Sequence, residues 1–229
     1  MIDGKKVIAV VPARAGSKRL TNKNIRELNG VPLIGWTLKA AQESQYIDQI
    51  LVTTDSVEIR DIVNRFGDYV PELRPDCLSK DDSSTTDVID YVLNKFCTSD
   101  DIIVLLQPTS PLRTEQHIDE ALELYSKSSA DAVISVTECD HNPAWSNTLP
   151  HNGSMKKFIS RNDNKRSQDL EKYFRLNGAL YVFSRESFFS YNQIPYEGNS
   201  YAYIMGNRSS IDIDTLFDFK LAEFFMMES

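Results

Sequence analysis

Apolar positions along this chain follow two alternating rhythms. Short unbroken runs at Lys5–Val11 (KKVIAVV), Gln49–Thr54 (QILVTT), Ile102–Leu106 (IIVLL) and Ala132–Val136 have the pattern of strands covered on both faces. Between them lie stretches with helical spacing. Pro32–Gln42 begins with Pro in a first turn, and Val57–Phe66 is closed by Gly67. Ser83–Phe96 offers Ser83 or Ser84 as N-cap with Asp87 in the first turn, and Glu115–Ser126 is capped by Thr114. Tyr69–Val70 is expected as a short third strand. The alternation predicts an α/β fold with a doubly wound, mostly parallel sheet, continuous as one domain to about residue 138.

The rhythm then weakens. Residues 139–172 are polar and turn-rich, yet Trp145, Leu149, Met155, Phe158 and Ile159 make the stretch too apolar for a disordered linker. It is expected to be an inserted excursion of extended strands that packs on a second subunit, making the protein a homodimer. Regular pattern resumes at Gly178–Phe183 and Tyr201–Met205, and Leu216–Met226 reads as an amphipathic terminal helix. Tyr125 and Phe224–Phe225 are expected in the core. The whole of 1–229 is then one domain with an excursion, without internal repeats.

Composition narrows the function. The 229 residues carry a net charge of -8, which disfavours general binding to nucleic acid or anionic membranes. The three cysteines, Cys77, Cys97 and Cys139, fit neither a disulfide framework nor a CxxC metal site, and suit a reducing cytoplasm. Cys97 is placed on a buried helix face. The apolar run Val7–Val11 is too short for a signal peptide, and no run is long enough to span a membrane. The histidines 117, 141 and 151 share no ligand spacing, so zinc is not expected, and Asp81–Asp82 reads as local capping.

Against this acidic background, Pro12–Arg26 (PARAGSKRLTNKNIR) holds Arg14, Lys18, Arg19, Lys23 and Arg26 and no acid. Arg and Lys offset anionic charge, and Ala15, Gly16 and Ser17 allow close backbone approach. A cationic small-residue loop after the first strand of a doubly wound sheet therefore suggests a polyphosphate site. Neither GxGxxG nor GxxxxGK[ST] occurs, which removes the usual support for a dinucleotide oxidoreductase or a P-loop ATPase.

Five segments in order resemble the acylneuraminate cytidylyltransferases, enzymes that make CMP-activated nonulosonic acids such as CMP-sialic acid. They are PARAGSKRLTNKN, RPDCLSKDDSST (Arg74–Thr85), LLQPTSPLR (Leu105–Arg113), YFRLNGALYVF (Tyr173–Phe183) and SIDIDTLFDFKLAE (Ser210–Glu223). The resemblance implies a Rossmann-like nucleotidyltransferase sheet. It also implies a reaction in which the anomeric hydroxyl of a nonulosonic acid attacks the α-phosphorus of CTP and pyrophosphate leaves. Arg14, Lys23 and Asp214 match catalytic positions. Arg14, Ala15, Gly16, Ser17, Lys18, Lys23, Asn24, Arg74, Ser84 and Thr85 match positions around the nucleotide, with Arg19 as a helper. Gln107, Thr109, Ser110, Arg166, Gln168 and Tyr181 match positions toward the sugar.

Asp212 and Asp214 are implied Mg²⁺ ligands. In a strand, residues two apart share a face, and two carboxylates there could hold one ion together with phosphate oxygens. Asp214 is the better placed to assist deprotonation, while Asp218 is expected in the first turn of the terminal helix, where Asp214 could also serve as N-cap. The approach to the NGA strand departs from the family pattern: Arg166-Ser167-Gln168-Asp169-Leu170-Glu171 lacks a second Arg and a Pro. Arg166 or Lys165 could meet the sugar carboxylate. Trp145, where sialic-acid-specific members tend to carry Lys, points to a legionaminic-type diamino sugar. The alternatives are a sugar-1-phosphate nucleotidyltransferase or a nucleotide-sugar glycosyltransferase with an Asp-x-Asp metal site.

Overall fold

The computed structural model describes residues 1–79, 84–98, 101–156, 158–159 and 166–228. Strand β1 (Val7–Pro12) runs parallel to β4 (Gln49–Thr53) on one side and to β5 (Ile102–Leu106) on the other. A small hairpin of β2 (Glu27–Leu28) and β3 (Val31–Pro32) lies between β1 and the first helix. Beyond β5 come the antiparallel β7 (Phe174–Ser184), then β6 (Ala132–Glu138), and β8 (Ser200–Ile204) parallel to β6. The six-stranded order is β4-β1-β5-β7-β6-β8, the mostly parallel α/β sheet expected from the sequence.

Helices cover both faces, which explains why β1 and β5 are apolar without alternation. Val7, Ala9 and Val11 point into one core layer under α1 (Leu33–Glu43), α2 (Val57–Val63) and α4 (Glu115–Ser128). Ile8 and Val10 point into the other, against α3 (Thr85–Phe96) and α5 (Arg185–Tyr191). Successive strand residues face opposite sides, so one strand feeds both layers. A third cluster joins Leu20, Leu28, Leu33 and Ile213 with Phe219 of α6 (Leu216–Met227). It fixes the loop after β1 against the segment before α6.

Several expectations need correction. Tyr69–Val70 forms no strand: Val52 N donates to Tyr69 O at 2.8 Å, but Gly67 and Pro71 bracket the segment and no ladder develops. Helix α2 stops at Val63, short of Phe66. Pro32 is the N-cap of α1 rather than its first residue. The excursion forms turns and single-turn helices at Pro143–Trp145 and Ser167–Asp169, not strands, among its described residues. Cys97 ends α3 as its C-cap, half-buried, where desolvation pushes its thiol up to about 12. Asp212 and Asp214 lie in irregular chain, so the strand-face expectation fails. Helix α6 is not simply amphipathic, since Leu216, Phe217, Phe224 and Met227 are exposed; the core expectation thus fails for Phe224. Residues Asp81, Asp82, Ser83 and Lys165 lie outside the described residues. Sequence reasoning missed α5 and the β2–β3 hairpin.

Candidate active site

The basic loop is built by its own backbone. Ala13 N donates to Thr53 O at 3.0 Å, keeping the loop on the sheet for one residue beyond β1. Gly16 then adopts φ 73°, in the left-handed region that glycine occupies without a side-chain penalty. The buried Asn24 side chain donates to Arg14 O at 3.0 Å, fixing the start of the loop to its end. Asp55, just past β4, accepts from Ala15 N at 2.9 Å.

Lys23 and Arg19 reach across to the C-terminal segment. Lys23 Nζ donates to Ile213 O at 2.8 Å and to Asp214 Oδ1 at 3.1 Å, while Arg19 Nη1 donates to Asp214 Oδ2 at 2.8 Å. Both oxygens of one carboxylate thus face cations from the basic loop. Asp218 accepts from Asp214 N at 3.1 Å and Thr215 N at 2.7 Å. The N-cap of α6 is therefore Thr215, not Asp214, with Asp218 closing a capping box. This leaves the Asp214 carboxylate facing the cations. Asp212 keeps one side open to solvent, yet the protein around its carboxyl, with the charge of Asp214, holds its pKa above the usual carboxylate range.

The carboxylates of Asp212 and Asp214, together with phosphate oxygens of a ligand, are the oxygen donors that a hard divalent cation prefers, while Lys23 offsets charge beside them. A cation bound there would favour the charged form of Asp212 that desolvation, and less so the charge of Asp214, disfavours. Among the described residues no group of three or more His, Cys, Asp or Glu side chains forms a closed metal cage. Ligand oxygens would have to complete the shell.

Arg74 forms the opposite wall. Its backbone N donates to Thr54 O at 2.7 Å and its buried Nε to Ser79 Oγ at 3.3 Å. Burial, opposed by the charge of Asp55, lowers its pKa. Ser84 caps α3 by accepting from Asp87 N, and Thr85 follows as the first helical residue.

The Gln107–Arg113 loop leaves β5 at the sheet's C-terminal edge. Gly178, at φ 74°, lies beneath it: a Cβ there would stand 3.4 Å from Gln107 Oε1. Asn177 is buried and holds three segments together. It accepts from Ser135 Oγ at 2.5 Å and Ala179 N at 3.1 Å, and donates to Ser210 Oγ at 2.9 Å. The NGA motif is thus a packing device beside the site. Arg113 is also buried, donating from Nη1 to Gln107 O at 3.2 Å and Ala179 O at 2.9 Å; desolvation lowers its pKa to about 9.

These elements enclose a cleft of about 570 Å³. Of the residues expected from sequence, it brings together Arg14, Ser17, Lys18, Lys23, Asn24, Arg74, Ser84, Thr85, Gln107, Thr109 and Asp214. Ala15 and Gly16 line the underside of the loop instead. Tyr181 lies in an adjoining cavity of about 150 Å³ with Gln193 and Tyr196, joined to the cleft through Thr85 and Gln107. Burial pushes the Tyr181 hydroxyl up to about 12, keeping it a neutral donor. Ser110 is fully buried, and Asp212, Trp145, Arg166 and Gln168 are not among the residues lining the cleft. Sequence reasoning missed Asp55, Gln193 and Tyr196; an acid directly after β4, at the edge where the basic loop emerges, was the available signal for Asp55.

The profile of the cytidylyltransferase family matches residues 8–224. The chain is 37% identical over 233 residues to the CMP-N,N'-diacetyllegionaminic acid synthase of Legionella pneumophila, covering 95% of each. It is 36% identical over 216 residues to an N-acylneuraminate cytidylyltransferase of Streptococcus agalactiae; 93% of this chain aligns, spanning 52% of that protein. In fold it is similar to a CMP:2-keto-3-deoxy-manno-octonic acid synthetase complexed with CTP, with TM-score 0.74, 18% identity, and 98% and 99% of the two chains covered. The family match runs from β1 into α6, through every segment that lines the cleft, and the chain belongs to the cytidylyltransferase family.

Proposed function

We propose that this chain transfers the cytidylyl group of CTP to the anomeric hydroxyl of a nonulosonic acid, giving the CMP-sugar and pyrophosphate. The observation that carries this is the meeting of Lys23 and Arg19 with Asp214 at the cleft. Cations for a triphosphate and a carboxylate for the attacking hydroxyl stand at one place. The sugar oxygen forms a bond to the α-phosphorus, the bond from that phosphorus to the pyrophosphate oxygen breaks, and the hydroxyl proton leaves toward Asp214. Lys23, Arg14, Lys18 and Arg19 hold phosphate charge, with Ser17 and the backbone of Ala15 and Gly16 shaping the loop. Asn24, Arg74, Ser84 and Thr85 face the nucleoside. Asp212 and Asp214 would hold Mg²⁺, which when bound neutralises phosphate oxygens and lowers the pKa of the sugar hydroxyl.

Gln107, Thr109 and Tyr181 surround the sugar, with an amide and hydroxyls suited to a polyhydroxylated ligand. A legionaminic-type substrate is favoured by the 37% identical relative, whose name carries that sugar. Purified protein incubated with CTP, Mg²⁺ and a panel of nonulosonic acids should release pyrophosphate, fastest with N,N'-diacetyllegionaminate. Robust turnover of N-acetylneuraminate with none of legionaminate would overturn the sugar assignment. Turnover only with sugar 1-phosphates would overturn the reaction.

The protein is further proposed to be a cytoplasmic homodimer. The three cysteines, at 77, 97 and 139, have neither the even number nor the spacing of a disulfide framework, and among the described residues no helix is long and apolar enough to cross a membrane. Leu176 on β7 and Ile204 on β8 both stand in register with Val136 between them, and both are more than half exposed. Phe174, two residues before Leu176 and also exposed, shares their face, and the three make an exposed apolar strip. A partner's excursion could bring Arg166 and Gln168 to this cleft. Sedimentation should show a dimer at micromolar concentration, and Leu176→Asp with Ile204→Asp should yield monomers. A wild-type monomer under those conditions would remove this part of the proposal.

A further inference from the structure

The residues just past β4 tie together the two walls of the nucleotide cleft. Thr53 O accepts from Ala13 N at 3.0 Å, and Thr54 O accepts from Arg74 N at 2.7 Å. Thr54 Oγ1 accepts from Ser56 N at 3.1 Å, which fixes the turn itself. Within that turn Asp55 Oδ1 does two things. It accepts from Ala15 N at 2.9 Å, and it faces Arg74 Nη2 at 3.8 Å.

The electrostatics need an acid here. Arg74 is buried, and its side chain is only 3% exposed. Arg14, on the facing loop, acts against it with like charge. A buried guanidinium beside a second cation is costly unless a carboxylate faces it. Asp55 supplies that carboxylate from a side chain that is itself largely shielded, 18% exposed. Its contact with Ala15 N also occupies one backbone donor of the basic loop. An anion entering the cleft therefore meets the loop already oriented, with the Arg14 and Lys18 side chains on the cleft side.

We propose that Asp55 is a positioning residue for nucleotide binding. Its carboxylate sets the basic loop and Arg74 at a fixed separation, matched to the two ends of one nucleoside triphosphate. It does not touch the reacting atoms, and it lies outside the residues lining the cleft. This inference deepens the assignment of CTP as ligand and rests on it.

The test is calorimetric titration of the full-length protein with CTP, alongside steady-state kinetics. Asp55→Ala removes both contacts, and CTP affinity should fall roughly 10- to 100-fold, as for loss of hydrogen bonds to a charged group. Asp55→Asn keeps an acceptor for Ala15 N and removes the charge beside Arg74, so its loss should be smaller. In both variants KM for CTP should rise more than kcat falls. In an Arg74→Met background the penalty of Asp55→Asn should largely disappear, because the charge it served is gone. A purely structural Asp55 would lower the thermal midpoint and leave the CTP affinity of the folded protein within twofold of wild type. That result, or an undiminished Asp55→Asn penalty with Arg74→Met present, overturns the proposal. The wild-type titration separately decides whether CTP is the ligand at all.

Discussion

Asp214→Asn is expected to cut turnover by about 10³-fold, the scale seen when one charge-stabilising group is removed from a reacting centre. Its folding should barely change. The Asp214 side chain is 47% exposed and its Arg19 partner 72% exposed, so that ion pair contributes roughly 0–1 kcal/mol at most. Lys23 keeps its bond to Ile213 O when Asp214 changes, so the better shielded cation is not stranded. The amide can still accept a hydrogen bond, but it brings no charge for a metal and no base for a hydroxyl. Initial rates with saturating CTP and sugar, measured with thermal unfolding, check both halves. Activity within tenfold of wild type would show that Asp214 does not carry the chemistry.

Asn177→Ala should have the largest effect on stability of any single polar change near the site. The variant strands the buried N–H of Ala179 and removes one bond each from the hydroxyls of Ser135 and Ser210, which keep their bonds to Leu180 and to Gly206 O. Stranding such groups costs about 1–3 kcal/mol each when no water replaces the lost contact, and linked networks lose more than isolated bonds. A total of about 3 kcal/mol is expected. For a chain of this length that lowers the thermal midpoint by roughly 6–12 °C. Turnover should fall as well, because Ser210 anchors the turn that leads to Asp212 and Asp214. Denaturant unfolding with parallel kinetics would measure both. An unchanged unfolding midpoint would mean that the Asn177 network does not hold this segment.

Much of this architecture was legible because parallel strands leave a plain signature. A strand covered on both faces, like Ile102–Leu106, has no polar residue to hide its period. Caps were equally readable, since Ser84 and Thr114 are residue types whose side chains satisfy free helical N–H groups. The basic loop showed itself by charge alone. What escaped depended on three-dimensional neighbours. For Asp55 the local signal is an acid soon after β4, and its meaning comes from Ala15 and Arg74, each distant from it in the sequence. Tyr69–Val70 has strand-like composition, but Gly67 and Pro71 deny it a ladder. The terminal helix misled because Phe217 and Phe224 carry the composition of a buried face and project outward instead. Asp212 and Asp214 were found by motif, and the geometry of a strand was wrongly attached to them.

The bond between Lys23 and Asp214 spans 191 positions of sequence. Its consequence concerns the order in which the molecule is made. A chain emerging from the ribosome can form β1, its loop and their parallel neighbours long before the last segment exists. Antiparallel β7, which pairs with β5 and β6, arrives only after the excursion has been synthesised. Contacts so distant in sequence close late, because the entropy of the intervening loop must first be overcome. For most of synthesis up to that point the cationic loop therefore waits without Asp214, and the pair closes only when the segment leading into α6 docks. Any cleavage or premature stop before Asp214 leaves a fragment that carries the cationic loop without the carboxylate that meets it.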